Sequence, residues 1–304
     1  MSWVWLALAG AAVSGLVSIF DKTVIYRYAT TPRTLPLLIG VAQTFVGVVV
    51  LAAVRIPEGA TPALALWALA SGAVFGFGAQ FFMHVLYREE VSRTVPVIQS
   101  APIFTAVFAF FFLGEHLGSV EWLAIMAVVA GAIALSMRAG SSYYGPFLHR
   151  SFILLMVSSA LQGLAHILGK VAVDELPVLF THALRSLSLG GVFLLFNLRP
   201  EPWRDITGFV RDRSPALRFV AMNELVIATT GLLLLLWALQ LGPASLVTAL
   251  SGTRAFFLVV YSTALALVWK GALGEVTTPG AIAVKVGSTA LIVGGIAAIA
   301  VVSG

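Results

Sequence analysis

Apolar runs of roughly 20 residues recur from one end of the chain to the other, separated by short connections rich in Gly, Pro or charge. A run of about that length crosses the hydrocarbon core of a bilayer as a helix. The pattern predicts ten spans, over 3–20, 36–54, 63–87, 94–113, 122–137, 152–172, 178–197, 217–240, 245–269 and 279–303. No soluble domain fits between them. The longest connection, 198–216, contains Pro200, Pro202, Arg204, Asp205, Arg211, Asp212 and Arg213. It is expected to hold a short amphipathic turn. The first run lacks a basic leader and a small-residue cleavage site, so it reads as a retained helix.

Composition agrees with this pattern. Of the 304 residues, 60% are hydrophobic and 10% charged, against about 25% charged in a soluble domain. With no cysteine, neither disulfides nor thiolate metal sites arise. The net charge of +5 is no nucleic-acid signal, because basic residues in a membrane protein mark the cytoplasmic loops. Thirteen Lys and Arg fall on one side of the predicted spans and Arg55 alone on the other. The positive-inside rule then places the chain in the cell membrane with both termini extracytoplasmic. Lys170, Arg185, Arg254 and Lys285 fall inside spans.

The chain builds one unit twice. The fourth span runs TVPVIQSAPIFTAVFAFFFLGE from Thr94, with Pro96 and Pro102 in its first half. The ninth runs from Ser245 to Leu273-Gly274-Glu275 and matches the ending Leu113-Gly114-Glu115. Laying Ala101-Pro102-Ile103 on Arg254-Ala255-Phe256 puts Ser92 on Ser245. Ser14, Gly15, Ser18 and Lys22 sit 148 residues before Gln162, Gly163, His166 and Lys170. Gln43 is matched with Arg185. The halves are about 1–140 and 151–304. Each holds five spans, an odd number, so the second enters the membrane in the opposite sense. The fold class expected is all-α integral membrane, ten transmembrane helices in two inverted five-helix repeats. That architecture is typical of transporters with a midplane site.

The doubled five-span unit, Lys22 and Lys170 late in the first helix of each half, and Pro102 leading to Leu113-Gly114-Glu115 resemble the ten-helix EamA-like type of the drug/metabolite transporter superfamily. The resemblance covers essentially the whole chain. It implies a secondary transporter, often an exporter, of amino acids or other small metabolites. Arg254 is not part of the general pattern.

Ionisable residues inside spans are costly and are functional candidates by default. Arg254 lies about ten residues into the ninth span and shares a face with Ser251 and Tyr261. It reads as a fixed cation for a carboxylate or phosphate, or as the structural partner of Glu224. Glu224 in turn reads as a proton carrier or as a neutraliser of Arg254 or Arg185. Arg185 and His182 share a face of the seventh span, where substrate contact and a structural ion pair are equally open. Gln162, His166 and Lys170 form the polar face of the sixth span, and Ser14, Ser18 and Asp21-Lys22 that of the first. Gln80, His84 and Gln99 either bind substrate or tie helices together. Glu115 and Glu275 read as helix-end or gate residues.

No catalytic constellation is visible. Walker-loop, GxSxG and HExxH patterns are all missing, so the chain is expected not to be an enzyme and to need no cofactor or metal. Buried cations outnumber buried acids, which favours an anionic or zwitterionic small-molecule substrate and a coupling proton. A flippase for an anionic lipid-linked substrate would use the same arginines. Partners are then substrate and membrane lipid, with the chain a monomer or homodimer.

Overall fold

The computed structural model describes residues 2–27, 31–87, 94, 97–136, 149–268 and 279–302. Ser92, Pro96 and Glu275 lie outside the described residues, as do the side chains of Lys22 and Lys285. Within them the chain is helical, with no strand.

In order, the helices are α1 (Ser2–Arg27), α2 (Thr34–Ala53), α3 (Pro62–Leu86), α4 (Ala101–Phe108), α5 (Ser119–Ser136), α6 (His149–Glu175) and α7 (Val178–Asn197). Then come α8 (Pro200–Arg211), α9 (Pro215–Ala221), α10 (Thr229–Leu241), α11 (Ala244–Ser251), α12 (Arg254–Val268) and α13 (Pro279–Val302). A π-helical turn, Ala109–Leu113, extends α4 until Gly114 ends it at φ 66°. Another, Met222–Ala228, joins α9 to α10. Seven helical stretches are long and apolar enough to cross a membrane, and three shorter apolar helices complete the ten predicted spans.

The connection after α7 carries a full helix rather than a turn. Ile206 and Phe209 of α8 pack on Leu35, Leu38 and Val220, and Thr34 Oγ1 donates to Asp205 at 2.5 Å. Basic residues stay on the opposite, solvated surface, which is the layout of an interfacial helix.

The repeat is legible in the packing, residue by residue. Gly15 of α1 receives Phe257 and Leu258, and Gly163 of α6 receives Phe104 and Thr105. Gly131 of α5 meets Ser288 and Ile292, while Gly295 of α13 meets Ala124 and Val128. Gly231 faces Val13 and Ser14 of α1, and Gly78 faces Leu161 and Gln162 of α6. Each pair is one contact made twice, once from each half. The helix starts repeat too. Thr61-Pro62-Ala63-Leu64 opens α3 and Ser214-Pro215-Ala216-Leu217 opens α9. In both, the hydroxyl accepts a backbone N–H and proline takes the first helical position.

For α2 and α7 the register differs from the sequence match. Gly47 meets Ala183 and Leu187, and Gly190 meets Gly40 and Thr44. Positions 143 apart are therefore equivalent, and the mate of Gln43 is Ser186, beside Arg185. Both helices are apolar enough that a one-residue slip leaves the alignment unchanged to the eye.

Candidate functional site

The fourth and ninth spans are each broken, at equivalent points. Gln99 and Ser100 form a turn before α4; Gly252 and Thr253 form a turn between α11 and α12. Ser100 Oγ donates to Val97 O at 2.6 Å, and Thr253 Oγ1 to Leu250 O at 2.7 Å. The backbone bonds repeat as well, Ile103 N to Ser100 O at 3.0 Å and Phe256 N to Thr253 O at 2.9 Å. The sequence reading of 245–269 as one helix is thus corrected to two pieces. A hydroxyl that bonds its own backbone three residues back competes with the helix ladder, and glycine beside it lowers the cost of the break. Broken helices of this kind, at matching points of inverted repeats, line midplane sites in transporters.

Arg254 is the first residue of α12, and its Nη2 donates to Gln99 Oε1 at 3.2 Å. The two broken spans therefore meet through a cation and a neutral amide. A guanidinium in the first turn opposes the helix dipole, and an anion lodged beside it would satisfy both.

Three more basic side chains lie inside the neighbouring spans, and His166 links two of the arginines. His166 of α6 is buried, packs edge-on to Phe75 with ring centroids 6.1 Å apart, and lies within electrostatic reach of both Arg185 and Arg254. Arg185 is 6% exposed, and its Nη1 has no hydrogen-bond partner among the described residues; His166 Nδ1 likewise has none. His182, one turn before, shares a 3.4 Å contact with Ser186. Arg185, His182 and Ser186 line a cavity of about 10 Å³ with Gly72, Phe75, Leu189, Leu232 and Leu236. That is room for one water. Gly169 makes space for the guanidinium: a Cβ there would stand 3.0 Å from Arg185 Nη1. Ser71 anchors α3 to α6 by donating to Ala165 O at 2.7 Å.

A second polar niche lies elsewhere. Asn223 Nδ2 donates to Asp21 Oδ1 at 2.8 Å and to Glu224 Oε1 at 3.0 Å, while Gln43 Nε2 donates to Glu224 Oε2 at 3.3 Å. The π turn creates this geometry: it presents Asn223 and Glu224 side by side, both buried, toward α1 and α2. Glu224 bonds neither Arg254 nor Arg185 among the described residues. Asp21, placed by the sequence on the polar face of the first span, belongs to this niche.

The other candidates scatter. Gln80 is bonded both ways to Asn197, at 3.3 and 2.9 Å, which ties α3 to α7. His84 is exposed. Gln162 and Ser14 cover Gly78 and Gly231. Ser18 Oγ bonds Ser14 O at 3.5 Å. Tyr261 stacks on Phe257 at 6.3 Å. Lys170 pairs with Asp174 at 2.7 Å.

Glu115 is a helix-end residue, as its position suggests. Its carboxylate accepts from Ala244 N at 2.6 Å, Ser245 N at 3.2 Å and Ser245 Oγ at 2.5 Å. It caps α11, so the first half holds the start of the ninth span. Glu115→Ala is expected to cost roughly 1–2 kcal/mol of stability, as for other lost caps, measured by thermal unfolding in detergent; an unchanged midpoint would show the cap idle.

Residues 1–137 match the EamA-like transporter family. The first half of the chain is thus similar to one EamA-like unit. A protein from Sinorhizobium sp., named an uncharacterized transporter in the cobO 3′ region, is 29% identical over 147 residues, 45% of this chain and 97% of that protein. That relative is thus about one EamA-like unit long. A solved structure, titled only as the crystal structure of a protein, superposes at TM-score 0.71 with 18% identity, over 99% of this chain and 97% of that one. The likeness covers both halves and establishes the fold. The apolar helices and the match over residues 1–137 support a multi-pass membrane protein similar to EamA-like transporters.

Proposed function

We propose that the protein is a secondary active transporter, working as an exporter, of small anionic or zwitterionic metabolites such as amino acids or organic acids. The halves, about 1–140 and 151–304, rock about the crossing of the two broken spans and expose Arg254, Arg185 and His166 to either side in turn. The chain lies in the cell membrane with both termini outside, and Glu224 couples the movement to a proton.

One observation supports this reading. Arg254 stands at the break of two repeat-related spans with the neutral Gln99 as its described hydrogen-bond partner, and His166 lies within electrostatic reach of both Arg254 and Arg185. Inside a bilayer an unpaired cation costs several kcal/mol. A carboxylate or phosphate offers each guanidinium a bidentate partner and removes that cost. A lipid-linked substrate would need a lateral opening between helices, and no feature described here favours one.

Binding tests this first. Purified protein is heated with amino acids, organic acids, nucleotide-type phosphates, polyprenyl phosphate or cationic drugs. Anything that binds the folded state raises the midpoint by mass action. The expected result is stabilisation by a carboxylate or phosphate compound, lost in Arg185→Gln. Stabilisation by cationic drugs alone would overturn the reading.

A further inference from the structure

The acidic niche and the arginine niche are the same place in the two repeats. Packing makes Asp21 the mate of Gly169, Gln43 the mate of Ser186 and Glu224 the mate of Ser71. Gly169, Ser186 and Ser71 surround Arg185, whereas Asp21, Gln43 and Glu224 surround Asn223 or its bonds. The two repeats therefore carry one acidic and one basic version of a single niche.

Their separation decides what each can hold. The Arg185 cavity touches the eighth span at Leu232 and Leu236. Glu224 precedes Leu232 by eight residues, roughly 10–12 Å along a helix. An α-amino acid carries its two charges within about 4 Å, so its ammonium cannot lie in the acidic niche while its carboxylate lies at Arg185. The acidic niche serves a different ligand.

It is rich in acceptors. Two carboxylates share one amide donor, and the carbonyl oxygens Gln43 Oε1 and Asn223 Oδ1 are buried without a partner among the described residues. Gln43 and Asn223 are 1% and 2% exposed. A ligand here must be a cation or a proton. The amide nitrogen already occupies the point between the carboxylates, so a metal ion would have to displace it and then find further oxygens. A proton needs no such rearrangement. Two carboxylates bonded to one amide nitrogen repel each other, and protonating either one removes that repulsion.

We propose that Asp21 and Glu224 form a one-proton site, distinct from the anion site and set at its inverted-repeat mate. As the coupling site of the cycle it rests on the transporter reading; as a proton site it does not. The neighbouring groups fit. Tyr87, closing α3, lies within electrostatic reach of Asp21, and its hydroxyl is buried without a partner among the described residues. α2 presents the neutral Gln43, and Thr229 of α10 donates to Glu224 O at 2.8 Å. Arg218 of α9 is exposed. Nothing described within hydrogen-bonding range neutralises the dyad.

Infrared titration of the full chain in lipid tests the site by the stretch of a protonated carboxyl. Wild type, Asp21→Asn, Glu224→Gln and Glu224→Asp are compared, in sodium and in choline buffer. The expected result is one protonated carboxyl per chain at neutral pH in wild type. Its titration midpoint falls in both amide variants, because the partner charge that favours the proton is gone, and stays near wild type in Glu224→Asp, which also guards against misfolding of the amide forms. Sodium leaves it unchanged. Absence of the signal in wild type, an unshifted midpoint in either amide variant, loss of the signal in Glu224→Asp, or its displacement by sodium would overturn the proposal. No substrate is needed. A chain that titrates as stated but moves no solute keeps the dyad and overturns only the transport reading.

Discussion

Arg254→Ala is expected to abolish substrate-dependent flux in reconstituted vesicles while the protein still elutes as a folded species. Arg254 starts α12 and joins the broken ninth span to Gln99 of the broken fourth. A hydrogen bond to a charged group contributes about 1.5–3 kcal/mol, so losing the guanidinium costs roughly 10–150-fold in affinity for an anion. Folding changes little. The bond to Gln99 disappears, but so does an unpaired cation from the first turn of a helix. Arg254→Lys keeps the charge without the planar fork, and partial transport with weakened affinity is expected. Full activity and unchanged affinity in Arg254→Ala would remove this residue from the site.

Gly72→Ala is expected to have the largest effect on stability. A Cβ at that position would stand 2.1 Å from Arg185 O, 2.2 Å from Ser188 Oγ and 2.7 Å from Arg185 Cα. Two of those three atoms are backbone, so turning the Ser188 side chain aside relieves only one of the clashes. The methyl must drive α3 and α7 apart along one of the closest crossings in the molecule. Overpacking of this kind costs about 1–3 kcal/mol and occasionally more. It also shifts Arg185, so anion binding falls with stability. Gly59→Ala is the control, since a Cβ there meets nothing within 4 Å. A melting midpoint for Gly72→Ala equal to that of Gly59→Ala would contradict the packing described here.

Much of the fold is legible in the sequence, because span length is set by bilayer thickness and each span announces itself by its own apolar run. The doubling is legible too: the 148-residue spacing of Ser14, Gly15 and Ser18 to Gln162, Gly163 and His166 is the spacing the packing uses. Arg254, Arg185 and His166 stand out because a charge or imidazole inside an apolar run is costly, and the structure gathers them. What stays hidden is set by contacts between helices. The break at Gly252-Thr253 has no proline to mark it. Its signal was the match to Gln99-Ser100 in the other half, visible once those positions are laid together. The dyad is hidden for another reason. Asp21 looks interfacial from its place at the end of a run, and only the π turn at Met222–Ala228 brings Asn223 and Glu224 across to it. The pairing of Gln80 with Asn197 is likewise tertiary, between residues 117 apart in sequence.

The most direct measurement is counterflow of a labelled solute in vesicles carrying the wild-type chain and no other protein. Vesicles loaded with unlabelled carboxylate or phosphate compounds from the stabilising set are diluted into label, in parallel with vesicles loaded with cationic drugs. The account predicts transient accumulation of the labelled anion, abolished by Arg254→Ala and Arg185→Gln alike. Accumulation of cations alone, or of no solute with any member of the panel, would contradict it.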